Sequence, residues 1–162
     1  MKKLLLVVVL ALGATGAMAQ SKIAHMNSQK VLDTMPERLD AIQKYQEFEL
    51  AGFEELKEMD ADLKKAYEEY EKNLPNMSPV IQKIEQDKII KKQQALEDRQ
   101  TSFQQELQVY SQELNQPIFD KVQSAVEAVA DRLKLDYVLD VSSTVIARGQ
   151  DITDDIIQEV LK

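Results

Sequence analysis

The first apolar positions form an unbroken run from Leu4 to Leu12, behind Lys2 and Lys3 and ahead of small residues ending in Ala17-Met18-Ala19. The run is too short for the ~20 residues that span a bilayer, and a small-x-small site follows it, so the pattern predicts a secretory signal peptide cleaved after Ala19. Residues 1–19 are thus set aside from the fold, and the mature chain starts at Gln20. No Cys follows the site, which excludes lipoprotein acylation, and no later apolar run is long enough to cross a membrane.

From Pro36 to Asn73 the pattern is that of one long helix, rich in Glu, Lys, Leu, Ala and Gln, with no internal Pro. Leu56, Leu63 and Tyr70 recur at seven-residue spacing, as do Met59 and Ala66, so one narrow apolar stripe faces a partner. Leu74-Pro75-Asn76-Met77-Ser78-Pro79 breaks the repeat. Ser78 suits an N-cap and Pro79 a first helical position, which places the tip of a hairpin near residues 74–79. The second helix, from Pro79 to about Lys134, repeats the heptads at Ile89, Leu96, Phe103 and Tyr110 and at Leu107 and Leu114. The two stripes predict an antiparallel helical hairpin over residues 36–134, a coiled-coil arm whose shorter helix runs ~55 Å. Pro117 should interrupt or kink the second helix, and Gly52 marks a secondary point of flexibility in the first. Beyond Pro117 the broader stripe Ile118, Val122, Val126, Val129 and Leu133 suits a more globular surrounding.

The ends of the mature chain differ from its middle. Residues 22–26 and 137–141 read as strands, with a third at Val145-Ile146-Ala147 after a turn at Ser142-Ser143-Thr144. Thr153 is placed to cap a last helix carrying Ile156, Ile157, Val160 and Leu161. Residues 20–35 and 135–162 would form one small body. A body of that size is marginal alone, and without cross-links or metal it points to oligomerisation. The fold class is therefore mainly α, with a helical hairpin projecting from a short-stranded, oligomeric β-body.

Composition removes most chemistry. Without a Cys there is no thiolate nucleophile, iron–sulfur site or disulfide, and one His cannot build a multi-histidine metal site. The mature chain carries 18 basic and 28 acidic side chains, a net charge of −10, which argues against nucleic acid as a partner. Acids concentrate in residues 54–72, and Lys83, Lys88, Lys91 and Lys92 in residues 83–92, a distribution suited to pairing between the two helices. His25, Asp140 and Ser142 or Ser143 could be drawn as a hydrolytic triad, but no G-x-S-x-G elbow or Gly-rich oxyanion turn accompanies them. Asp151, Asp154 and Asp155 lack calcium-loop spacing and suit a helix start. No catalytic residue, cofactor site or metal site is assigned. Tyr45, Phe48, Phe53, Tyr67, Tyr70, Phe103 and Tyr110 fall mostly at core spacing.

The segment Ile23-Ala24-His25-Met26-Asn27-Ser28-Gln29-Lys30-Val31-Leu32, with Met35-Pro36-Glu37, resembles the N-terminal strand and first helix of the Skp/OmpH family of periplasmic chaperones. Asp136-Tyr137-Val138-Leu139-Asp140 and Asp151-Ile152-Thr153 resemble its C-terminal body, so the likeness covers nearly the whole mature chain. It implies a periplasmic homotrimer in which strands of three chains form a β-body and helical hairpins enclose a cavity. Unfolded outer-membrane β-barrel proteins would be held there without ATP. Phe48, Phe53, Tyr67 and Met77 are then the candidate client contacts, and Pro117 and Gly52 the candidate hinge. Many family members are basic and this chain is acidic, so contact with membrane or lipopolysaccharide is not carried over. An extracytoplasmic coiled-coil spacer without chaperone activity is the alternative reading.

Overall fold

The computed structural model describes residues 21–162. The expected signal peptide and its cleavage site lie outside the described residues. The elements run β1 (Ile23–Met26), α1 (Ser28–Thr34), α2 (Pro36–Asn73), a single 3₁₀ turn (Leu74–Asn76), α3 (Pro79–Leu133), β2 (Tyr137–Asp140), a second 3₁₀ turn (Val141–Ser143), β3 (Gln150–Asp151) and α4 (Thr153–Val160). They divide into two compact units, residues 36–119 and residues 21–35 with 120–162. Among the described residues no helix is long and apolar enough to cross a membrane.

The unit of residues 36–119 is two antiparallel helices. The expected stripes meet: Leu63 of α2 is buried with Ile89 and Leu96 of α3, and Leu56, Met59, Ala66 and Tyr70 pack against them. At the tip, the Ser78 hydroxyl accepts from the Ile81 amide at 3.4 Å, so the cap and the following Pro79 open α3 where the sequence places them. Pro117 does not end the helix. α3 continues through it to Leu133, and the proline itself is exposed. A proline within a helix removes one backbone bond but leaves those on either side intact.

The other unit holds a three-stranded sheet of order β2-β1-β3, with β1 parallel to both neighbours. Ala24 and Met26 of β1 are buried, with Val31 and Met35 of the α1 region, Val122, Ala125 and Val129 of α3, and Ile152, Ile156 and Val160 at α4. The alternating residues Ile23 of β1 and Tyr137 and Leu139 of β2 are exposed on the opposite side. Asn27 caps α1, its side chain accepting from the Lys30 amide at 3.0 Å.

Three expectations for this unit need correction. Val145-Ile146-Ala147 is not a strand; the third strand is Gln150–Asp151, set by Gly149 at φ 127° and by the Ile152 amide donating to the His25 carbonyl at 3.0 Å. A β-prone sequence takes up strand geometry only where a neighbour supplies the ladder. Strand β2 ends at Asp140, whose carboxylate accepts from the Ser142 amide at 3.0 Å and turns the chain. Thr153 is the first residue of α4 and not its cap. The Asp151 carboxylate accepts from the Thr153 amide at 2.9 Å and from its hydroxyl, whose oxygen in turn accepts from the Asn27 amide at 3.0 Å. These bonds hold the Asp151 carboxyl below its ordinary range.

Candidate functional site

Candidates for chemistry in the sheet unit do not assemble. The His25 Nδ1–H donates to the Gln150 carbonyl at 3.0 Å, the Ser143 hydroxyl donates to the Asp140 carbonyl at 2.8 Å, and the Asp140 carboxylate is used by the turn after β2. Burial alone would raise the Asp140 carboxyl, but hydrogen bonds from Ser28 and Ser142 hold it low. Each polar group of the drawn triad thus serves a backbone turn or strand junction.

In the hairpin the distinctive cluster is built around Phe103. This ring is buried, with Phe53 edge-on at 5.7 Å and Phe48 tilted at 6.0 Å, and Phe48 also meets Tyr110 at 4.7 Å. Gly52 is buried against the same ring, and a Cβ there would collide with it. The glycine therefore has a packing reason within an unbroken helix. Over Phe103 lies the Arg99 guanidinium, 5.5 Å from the ring centroid. Arg99 bonds Glu55 of α2 through Nε and Nη2, at 3.0 and 2.8 Å, and Glu106 of its own helix through Nη1 at 2.9 and 3.1 Å. The Arg99 hydrogen bonds hold the Glu55 carboxyl below its usual range and raise the guanidinium further still.

The expected pairing between helices is thus present, but its main member was not among the four lysines. Lys92 reaches Asp62 of α2 at 3.8 Å, whereas Lys88 pairs within its own helix with Glu85 at 2.7 Å. Arg99 carries no spacing signal of its own. Its neighbours Phe103 and Glu106, at the next two turns, are the nearest thing to one.

Grooves flank the packed helices, three of them with charged residues in their walls. One is lined by Ala41, Ile42, Tyr45, Glu49 and Leu114, a second by Phe48, Val109, Tyr110, Glu106 and Glu113, and a third, toward the tip, by Met77, Ile89, Asp62, Lys65, Lys88 and Lys92. On α2, Leu39, Ile42, Leu50 and Phe53 are exposed, Leu50 at 63% and Phe53 at 55%, while Phe53 also meets the Phe103 ring of α3 and Ile42 borders the first groove. Their spacing places them on one side of the helix, separate from the packed stripe. The four candidate contacts do not converge. Phe53 belongs to this exposed stripe, Phe48 is half-buried between Phe103 and Tyr110, Tyr67 is exposed with its hydroxyl 3.4 Å from Gln93 Oε1, and Met77 lines the groove near the tip. Leu39, Ile42 and Leu50 were missed by the sequence reading, although their helical spacing alone marks a second apolar face.

Residues 22–160 match the family model of outer membrane protein (OmpH-like). The chain belongs to the OmpH-like family. It is 27% identical to chaperone protein Skp of Yersinia enterocolitica over 154 residues, covering 93% of each chain. It is 29% identical to chaperone protein Skp of Pectobacterium atrosepticum over 145 residues, covering 88% of this chain and 87% of the other. Among solved structures it resembles a putative outer membrane chaperone (OmpH-like) of Caulobacter crescentus, with a TM-score of 0.76 at 13% identity, covering 88% and 85% of the two chains. The last likeness bears on the fold alone. It is the OmpH-like fold, mainly helical with a small strand body.

Proposed function

We propose that the protein is an ATP-independent periplasmic holdase that binds unfolded outer-membrane β-barrel proteins and keeps them from aggregating. The observation that carries the reading is the apolar stripe Leu39, Ile42, Leu50 and Phe53, left exposed on a helix that already has a packed stripe, in a chain of the OmpH-like family. Such side chains gain free energy by covering the apolar residues of an unfolded chain, at about 25 cal/mol per Å². Weak contacts spread over a long surface suit many sequences and require no nucleotide. The two named relatives are chaperones, which supports the same role.

The assembled form in this reading is a homotrimer joined through the sheet unit, and the client is held among the helical hairpins. Ile23, Tyr137, Leu139, Val145 and Ile146 are apolar and exposed in that unit, and a neighbouring chain would cover them. Pro117 and Gly52 serve as points of bending along the helices, and Phe48, Phe53, Tyr67 and Met77 take part in a distributed contact. Secretion by the signal peptide of residues 1–19 delivers the protein to the periplasm. The test is light scattering of a denatured outer-membrane β-barrel protein diluted from urea without ATP. Suppression at stoichiometric chaperone is expected; unchanged aggregation would favour a coiled-coil spacer.

A further inference from the structure

Charge is uneven along the helical hairpin. Residues 36–60 and 99–119 together carry ten carboxylates against four cationic side chains, whereas residues 61–98, toward the tip, carry eight against seven. In the first part Lys44 pairs with Asp40 at 2.7 Å, Lys57 with Glu54 at 3.1 Å, and Arg99 with Glu55 and Glu106. Among the described residues, Glu49, Glu58 and Glu113 enter no ion pair.

Two apolar grooves of this part lie beside those carboxylates. The groove of Ala41, Ile42, Tyr45 and Leu114, about 320 Å³, has Glu49 as its one charged lining residue. The groove of Phe48, Val109 and Tyr110, about 410 Å³, has Glu106 and Glu113. Neither has a cationic side chain in its wall. The groove nearer the tip, by contrast, mixes Lys65, Lys88 and Lys92 with Asp62, Glu69 and Glu85.

We propose that these two grooves select unfolded segments in which an aromatic or aliphatic side chain stands next to Lys or Arg. The apolar group enters the groove, and the neighbouring cation meets Glu49 or Glu113 beside it. This rests on the holdase reading and names the class of segment that is held. A carboxylate beside an apolar wall attracts a cation more strongly than one in open water, because the wall lowers the local dielectric. The same carboxylates repel acidic segments, which turns a general apolar surface into a selective one.

The experiment compares two labelled, unfolded peptides of equal length and apolar content, one with Lys beside each Phe and Leu, the other with Glu. Binding to the full chain is read by fluorescence anisotropy at low salt and at about 0.3 M salt, where the screening length is well under 10 Å. The Lys peptide should bind more tightly at low salt, with the difference shrinking as salt rises. Glu49→Gln and Glu113→Gln should each weaken the Lys peptide about two- to five-fold, the range of an exposed ion pair, and leave the Glu peptide unchanged. Neither carboxylate is ion-paired within the fold, so both variants should retain the parent melting temperature. Equal affinity for the two peptides, or no effect of either variant, overturns the proposal. A shift in oligomeric state of the variants by sedimentation would mark the grooves as an interface between copies and overturn it too. A chain that suppresses barrel aggregation but binds both peptides equally keeps the holdase reading and loses this one. A chain that prefers the Lys peptide but leaves the barrel protein to aggregate supports the selection and loses the holdase reading.

Discussion

Gly52 of α2 faces the ring of Phe103 of α3 so closely that no side chain fits between them. Helix propensity alone favours Ala over Gly by about 1 kcal/mol. Steric overlap reverses the sign, because Phe103 is fenced by Phe48, Phe53 and Arg99. Gly52→Ala is expected to destabilise the helix pair by about 1–3 kcal/mol, the usual range for overpacking. Urea denaturation followed by circular dichroism measures this, and Phe103→Leu in the same chain should recover part of the loss. A gain in stability from Gly52→Ala alone would mean that close packing against Phe103 does not explain the glycine.

The Arg99–Glu55 pair gives the hairpin an acid-sensitive link. The folded-state carboxyl of Glu55 is depressed, so the stabilisation is present above its unfolded pKa and is lost as pH falls through the folded value. The parent chain should therefore melt at progressively lower temperature as pH drops through and below the ordinary glutamate range. Glu55→Gln should melt lower than the parent at neutral pH and lose less on acidification. Parallel pH profiles of the two chains would show that the pair contributes nothing measurable.

Lys134, the residue after α3, sits at φ 56°, a left-handed conformation that suits glycine. The Leu135 amide bonds the Ala130 carbonyl at 2.9 Å and the Lys134 amide the Asp131 carbonyl at 3.2 Å, which fixes that geometry. Lys134→Gly should raise stability by about 0.5–1 kcal/mol, the strain removed less the entropy of glycine. Gly149→Ala, at φ 127°, should do the reverse. Chemical denaturation midpoints decide both.

Val145 and Ile146 are exposed in the single chain, Val145 completely. Replacing both by Asp should leave helicity unchanged while dissociating the assembly in sedimentation, if a neighbouring chain covers them. A double variant that sediments like the parent would place the contact elsewhere.

Pro117 lacks the amide that would bond the Glu113 carbonyl. Pro117→Ala should restore that bond, slow amide exchange between residues 113 and 121, and reduce capture of large clients more than small ones. Slower exchange with unchanged capture of both sizes would exclude a hinge at this position.

Periodicity alone determined most of the helical part. The heptads of Leu56, Leu63 and Tyr70 and of Ile89, Leu96 and Phe103 placed the packed faces, and Ser78-Pro79 placed the turn, because helix geometry and capping are local properties of the chain. The strand body was less accessible. β1 and β2 were recognisable by composition, but β3 is two residues long and exists because β1 offers it a ladder, while the more strand-like Val145-Ile146-Ala147 has no strand partner among the described residues. Tertiary structure also decided the roles of Gly52 and Arg99: which residue a glycine admits, and which carboxylates a guanidinium bridges, depend on the register of two helices whose facing residues lie dozens of positions apart. Spacing within one helix says which side is apolar. Only the partner's position says which atoms meet there.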